Sequence, residues 1–484
     1  MKKNLILLLW TALLFIGCSK NDDNTYSAPK DLAAQDFMWK ASNYWYFWQD
    51  DVPNLADDRF ASDEEYTAFL ESDADAGDFF DNQLRFTEDR FTFYSPDYEE
   101  FTNILSGITK NNGLNFGLIL LDGDLLVGYV RYIIPGSDAA SKQIFRGNYF
   151  TEVDGQRLDT NNYIDLLYGE NDTYTLTMAD YVNDEFTPNG LEVMLTKEEN
   201  FQENPVYITN TLDVNGTKIG YIFYRRFTDG FEDELNAAIG QLQAQGITEL
   251  VLDLRYNPGG RVSSAVALAS MIYGTNTNEL FVRQRWNPKR QASFSTSSLE
   301  ENFINQIEGG EAINSLGLSR VYVLTTDRSA SASELLINGL DPYMNVIQVG
   351  TTTTGKNEFS LTMVDDPGNN FPYTYDPARE SFINPDNSWA IQLLCGRYEN
   401  SVGFSDFTSG LVPEIELEED VLNLGALGDI NEPLLARAIE DITGVTGKRD
   451  FTVRMPARAF ADSDTFDPLR DVMIGGVPSG IEQK

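Results

Sequence analysis

Histidine is absent from all 484 residues. Its absence removes the Ser-His-Asp and Cys-His constellations, the HExxH zinc site and every imidazole base. Any hydrolytic chemistry must therefore rest on other groups. Cysteine is nearly absent too: Cys18 and Cys395 are the only two, which excludes a disulfide framework and a CxxC metal knuckle. Positive charge is scarce, with 35 Lys and Arg against 75 Asp and Glu for a formal charge of −40, and that balance argues against a nucleic-acid partner. Long apolar runs are confined to one, Leu5 to Ile16, twelve residues of which only Thr11 is polar. It falls short of the ~20 residues needed to span a bilayer. What is present is 42% apolar and 12% aromatic residues, enough to bury real cores. At roughly 100–200 residues per domain, the length fits two to four domains.

The apolar run follows Met1-Lys2-Lys3 and reads as a signal peptide over residues 1–17. Leu14-Phe15-Ile16-Gly17-Cys18 resembles the lipobox of bacterial lipoproteins, with Phe15 in place of the usual Leu. This resemblance implies a lipid on Cys18, a membrane anchor through that residue alone, and export to the outer membrane or cell surface, with the periplasmic face as the alternative. Ser19-Lys20-Asn21-Asp22-Asp23 is similar to the acidic surface-export signal of Bacteroidetes-type lipoproteins. Residues 18–30 are polar and read as a lipidated tether.

Leu32 to Trp48 carries Phe37, Met38, Trp39, Trp45, Tyr46, Phe47 and Trp48, a density that predicts a buried helix opening a helical domain over 31–104. Short strands follow in a β-rich module over 105–204, among them Phe116–Leu121, Leu125–Val130 and Tyr149–Val153. Strand and helix then alternate over 205–445, with strands at Ile219–Tyr224, Glu249–Leu254, Val321–Thr325 and Val346–Val349 and helices at Phe231–Leu242, Ser263–Ile272 and Ser333–Leu340. Near-continuous apolar strands are those of a buried parallel sheet, so the class is α/β with layered βαβ units. Residues 446–484 read as a loose tail. Asp73-Ala74-Asp75-Ala76-Gly77-Asp78 lacks the spacing of an EF-hand loop, and no metal or cofactor site is expected.

Two turns lie at strand-to-helix junctions, where unpaired N–H groups face outward. In Asp253-Leu254-Arg255-Tyr256-Asn257-Pro258-Gly259-Gly260 the paired glycines let the backbone approach a substrate and aim N–H groups at developing negative charge, although the same residues also make a plain tight turn. In Ser329-Ala330-Ser331-Ala332-Ser333-Glu334 small residues leave Ser331 unobstructed, while Ser331-x-x-Glu334 equally satisfies a helix capping box. A serine nucleophile needs a base. Without histidine the candidates are a carboxylate or a lysine held neutral by burial, and Lys356, in Thr354-Gly355-Lys356, is the candidate lysine. The Ser-x-x-Lys of penicillin-binding chemistry occurs only at Ser27–Lys30, within the tether and interrupted by Pro29. A two-carboxylate glycosidase explains none of these motifs.

VLDLRYNPGG at 251–260, SASASE at 329–334 and TGK at 354–356 resemble the C-terminal processing peptidases, or tail-specific proteases. The resemblance implies a crotonase-like core with a PDZ insert, and selects Ser331 and Lys356, 25 residues apart, as a serine–lysine dyad. It also implies backbone N–H groups of Gly259, Gly260 and Ala332 as oxyanion donors. Many members carry glutamine four residues after the lysine; Ser360 stands there and is the candidate for orienting the dyad. Gly113-Leu114-Asn115-Phe116-Gly117, Ile134-Pro135-Gly136 and Gly147-Asn148-Tyr149 in turn resemble a PDZ domain. That implies capture of a peptide carboxylate by the amides of Asn115, Phe116 and Gly117, beside an open strand edge. The function expected is serine endopeptidase action on exported polypeptides. The alternative is an inactive surface lipoprotein binding peptides or apolar ligands on the same fold.

Overall fold

The structure, a computed structural model, describes residues 26–105, 108–445, 450–465, 467 and 470–478. The expected signal peptide, Cys18 and most of the tether lie outside these residues. The described end of the predicted tether packs on the helical region: the Tyr26 ring stacks 5.1 Å from Tyr66, and its hydroxyl donates to Phe60 O at 2.7 Å.

The central layer is a six-stranded sheet in the order 206–214, 217–224, 249–253, 320–325, 345–350 and 415–416. All neighbours are parallel except the first pair. Because side chains alternate across a strand, the sheet feeds two cores. Ile222, Leu252 and Val323 share one core with Leu235 and Ile239 of helix Glu232–Gln245, Ala265 of helix Val262–Ile272 and Leu335 of helix Ala332–Leu340. Tyr221, Val251 and Tyr322 face Leu434, Leu435 and Ile439 of helix Pro433–Thr443.

A second, seven-stranded sheet covers the first set of helices. Its main strands are Leu280–Trp286, Glu358–Val364 and Ala390–Asn400, none of which was anticipated from the sequence. Polar residues such as Arg283, Gln284, Glu358, Gln392 and Glu399 interrupt their apolar runs and find partners on neighbouring strands. The predicted aromatic helix forms at Ala33–Trp45, but Phe37, Trp39 and Trp45 share one core with Leu252, Leu335 and Leu393 rather than closing a separate one. Strand Phe93–Ser95 likewise joins the second sheet beside Ala390–Gln392.

The β module has its own core of Leu114, Phe116, Leu126, Phe150, Leu176 and Leu195 under strands 114–120, 126–133, 149–153, 173–182 and 185–196. Its outer edge is not open. Ala461 and Asp462 pair antiparallel with Leu118 and Gly117, and Met473–Ile474 joins the second sheet. The expected loose tail therefore supplies strands to two sheets.

Arg255 is the buried hub between strand 249–253 and the late core. Its guanidinium donates to Asp253 Oδ2 at 2.8 Å, Glu432 Oε1 at 2.6 Å and Glu419 Oε1 at 3.0 Å. Burial alone would raise the Glu419 carboxyl, but Arg146 and Arg255 hold it down to about 2. Removing one partner from such a cluster strands buried charge, so Arg255→Met is expected to cost about 3–5 kcal/mol. Urea unfolding of the variant beside the parent checks this, and an unchanged midpoint would contradict it.

Candidate active site

Strand Arg320–Thr325 runs into helix Ala332–Leu340 through the serine-rich turn, placing Ser331 at the helix start with φ +63°. A non-glycine residue in this region is strained and must be held by its surroundings. The surroundings are specific. Ser329 Oγ donates to Leu254 O at 2.8 Å and Ser333 Oγ to Asn257 O at 3.0 Å, so both hydroxyls brace the turn. Ser331 Oγ, in a fully buried residue, has no hydrogen-bond partner among the described residues. The capping box read from the sequence forms: Glu334 Oε2 accepts the Ser331 N–H at 2.8 Å and the serine side chain lies over the Glu334 N–H, although Ser331 Oγ makes no full hydrogen bond among the described residues.

Glu334 does more than cap, which sequence reasoning missed. The same Oε2 accepts the Lys356 N–H at 2.9 Å, and Oε1 accepts the Gly355 N–H at 2.7 Å and the Thr353 hydroxyl. One carboxylate thereby joins the backbone of the serine to that of the lysine. Burial pushes Glu334 up to about 7, against the hydrogen bonds that favour its charge. The side chain of Lys356 is buried, with Nζ 4.9 Å from the centre of the Phe91 ring. Desolvation lowers its pKa to about 8, outweighing Asp471, Glu358, Asp89 and Glu334, whose charges act the other way. Arg90, next to Phe91, donates to Gly355 O and to Thr408 O and holds the lysine loop from outside.

The glycine turn abuts Ser331. Gly259 and Gly260 have φ of +104° and +134°, and a Cβ on Gly259 would lie 2.7 Å from Ser331 Oγ and 2.8 Å from Val472 O. Only glycine fits there. Of the three expected oxyanion donors, Gly260 N–H points at a carbonyl oxygen, that of Val472, at 2.7 Å. Ala332 opens its helix, where the first N–H groups have no intrahelical acceptor. Gly259 differs from the expectation: its N–H is donated to Asn257 Oδ1 at 2.9 Å, which shapes the turn and takes that donor away.

Ser360 also departs from its expected part. Its hydroxyl donates to Met473 O at 3.1 Å and accepts from Gln392 Nε2 at 2.9 Å, so it grips the late segment instead of the lysine. Asn115, Phe116 and Gly117 lie in the first strand of the β module, away from Ser331, and meet the late segment too: Phe116 N–H donates to Ser463 Oγ at 3.3 Å and Asn115 Nδ2 to Asp464 Oδ1 at 3.4 Å. The open edge expected for a peptide carboxylate is filled. No spacing in the sequence connects residue 471 or 472 to Ser331, and no local signal would have found them. Among the described residues, no group of three or more Cys, Asp or Glu side chains is placed to hold a metal ion.

Comparison with known proteins places the chain in a family. Residues 218–415 match the model of peptidase family S41, and residues 33–93 that of the peptidase S41 N-terminal domain, together more than half of the chain. A carboxyl-terminal-processing protease of Picosynechococcus is 28% identical over 230 residues, 46% of this chain and 49% of that protein. The chloroplastic carboxyl-terminal-processing peptidase 3 of Arabidopsis thaliana is 26% identical over 241 residues, 48% of this chain and 43% of its own length. The chain thus spans about half the length of the curated relatives it matches. A solved structure of an S41-assigned protein from Bacteroides fragilis is 25% identical, with a TM-score of 0.66 over 85% of this chain and 97% of that one. With the serine turn, the glycine turn and the lysine loop gathered at one point of the matched region, the chain belongs to peptidase family S41.

Proposed function

We propose that the protein is a serine endopeptidase acting on exported polypeptides, with Ser331 as nucleophile and Lys356 as base. The observation that carries this reading is the contrast among three neighbouring serines: two hydroxyls are tied into the turn, and Ser331 Oγ alone is left uncommitted beside the glycine turn. Neutral Lys356 takes the Ser331 proton as the oxygen attacks the scissile carbonyl. The N–H groups of Gly260 and Ala332 receive the oxyanion. The proton passes to the departing amine, and the same lysine then activates water against the acyl-enzyme. A lipid on Cys18 would hold the enzyme at the outer membrane or cell surface. The PDZ-like module would engage polypeptide ends along Asn115, Phe116 and Gly117 once the late segment leaves that edge.

Ser331→Ala and Lys356→Ala are each expected to abolish cleavage of a mixed peptide library read by mass spectrometry. Ser329→Ala and Ser333→Ala are expected to keep activity while losing about 1 kcal/mol of stability each, since only bracing hydrogen bonds are removed. Full activity in either of the first two variants would sink the assignment, as would failure of a serine-reactive acylating probe to label Ser331.

The lysine must be neutral to act, so kcat/KM is expected to rise with pH with a midpoint near 8. A profile that falls with pH would rule the lysine out as the base.

The same desolvation has a stability consequence. The folded state binds the lysine proton less tightly than the unfolded chain, so this group's contribution rises as pH increases from about 8 toward 10.5, and the buried ammonium is a burden below that interval. Lys356→Met is therefore expected to raise the thermal midpoint at neutral pH while eliminating activity. A lowered midpoint would show that the ammonium is stabilised there.

A further inference from the structure

The region around Ser331 holds a stretch of the chain's own backbone. Gly260 N–H, the expected oxyanion donor, donates to Val472 O at 2.7 Å. Gly260 and Arg261 pair in parallel with Met473 and Ile474 on one side, and Ser360 pairs with Ile474 on the other. Gly475 N–H donates to Ser360 O at 3.1 Å, and Gln284 Nε2 to Gly476 O at 2.9 Å. A peptide inserted as a strand between two sheet edges, with one carbonyl on the oxyanion donor, is how a substrate would lie. The bond that follows that carbonyl is Val472–Met473.

Earlier in the same stretch, the backbone fills the β-module edge. Phe460 N–H donates to Leu118 O at 2.6 Å and Ser463 N–H to Phe116 O at 3.0 Å, which is strand addition by main-chain bonds. Acidic side chains reinforce it. Asp462 pairs with Arg131 at 3.2 Å, Asp464 with Arg225 at 2.6 Å, and Asp467 with Arg226. In a chain carrying only 35 basic residues, arginines from the β module and from the core thus flank one path. Asp471, half-buried, adds its charge beside that of Lys356.

We propose that residues 460–465 and 471–477 are two parts of an internal substrate mimic: the first occupies the β-module edge and the second the Ser331 cleft in substrate register, and free polypeptides must displace them. This rests on the peptidase reading for what is inhibited, but not for what is bound. It also names the chemistry of a competing substrate: an extended polypeptide with Asp or Glu ahead of an apolar pair at the cut.

The test uses the full chain and its Asp464→Lys, Asp467→Lys double variant, with circular dichroism to confirm folding. Gly475→Pro is the second variant; it removes the N–H given to Ser360 O, and its ring would meet Phe359. If the mimic is in place, loosening it raises kcat/KM on an unrelated quenched peptide by about tenfold, as the competent fraction grows. A labelled synthetic peptide of residues 460–477 then binds the variants and not the parent, and it raises KM without changing kcat. Equal hydrolysis by parent and variants, with no binding of the peptide, overturns the proposal and leaves the peptidase reading standing. Peptide binding to the variants alone, with no hydrolysis by any chain, supports the mimic and overturns the peptidase reading.

Discussion

The buried carboxylate of Glu334 is the constraint on which the candidate site depends. A serine at a strained φ and a lysine loop from a different strand have no reason to meet unless something fixes both backbones. Glu334 does so by accepting the Ser331, Gly355 and Lys356 amides and the Thr353 hydroxyl on two oxygens. Burial makes this acceptor costly, and four donors offset the cost. Because the interaction is with main-chain N–H groups, it sets positions without consuming the serine hydroxyl or the lysine amine.

The lysine is tuned by packing rather than by a dedicated partner. The base role proposed for it requires that it be stripped of water, and the wall against Nζ is Phe91, from the region before the β module. Arg90 beside it closes on Gly355 O and Thr408 O. The early aromatic helix packs into the same core as the central sheet, so the N-terminal segment is part of the lysine's environment and not a separate appendage. A polar substitution in that distant-looking segment would reach the site through solvation alone.

Two strand edges of the molecule are completed by the late segment. The β-module strand 114–120 and the strand pair around Gly260 and Ser360 both present main-chain groups that any extended backbone can satisfy. In the structure Ala461 and Asp462 satisfy the first and Met473 and Ile474 the second. Main-chain pairing of this kind is indifferent to most side chains, and ion pairs of Arg131, Arg225 and Arg226 with Asp462, Asp464 and Asp467 add the side-chain-specific contacts of the late segment.

Much of the fold was legible in the sequence wherever one local signal sufficed. The strands 217–224, 249–253, 320–325 and 345–350 and their helices fall within a few residues of the apolar runs that announce them, because a parallel strand buried on both faces must be apolar throughout. The strands 280–286 and 390–400 were not legible, since residues such as Arg283, Gln392 and Glu399 are accommodated only by cross-strand partners far away in the chain. At the site, the absence of histidine and the residues Gly259–Gly260, Ser331 and Lys356 could be read from motif and composition alone. Which serine keeps its hydroxyl uncommitted, which glycine N–H is already bonded, what Ser360 holds and where the late segment lies were decided by tertiary structure. Those outcomes depend on hydrogen bonds between residues tens to hundreds of positions apart, and local sequence carries no record of who the partner will be.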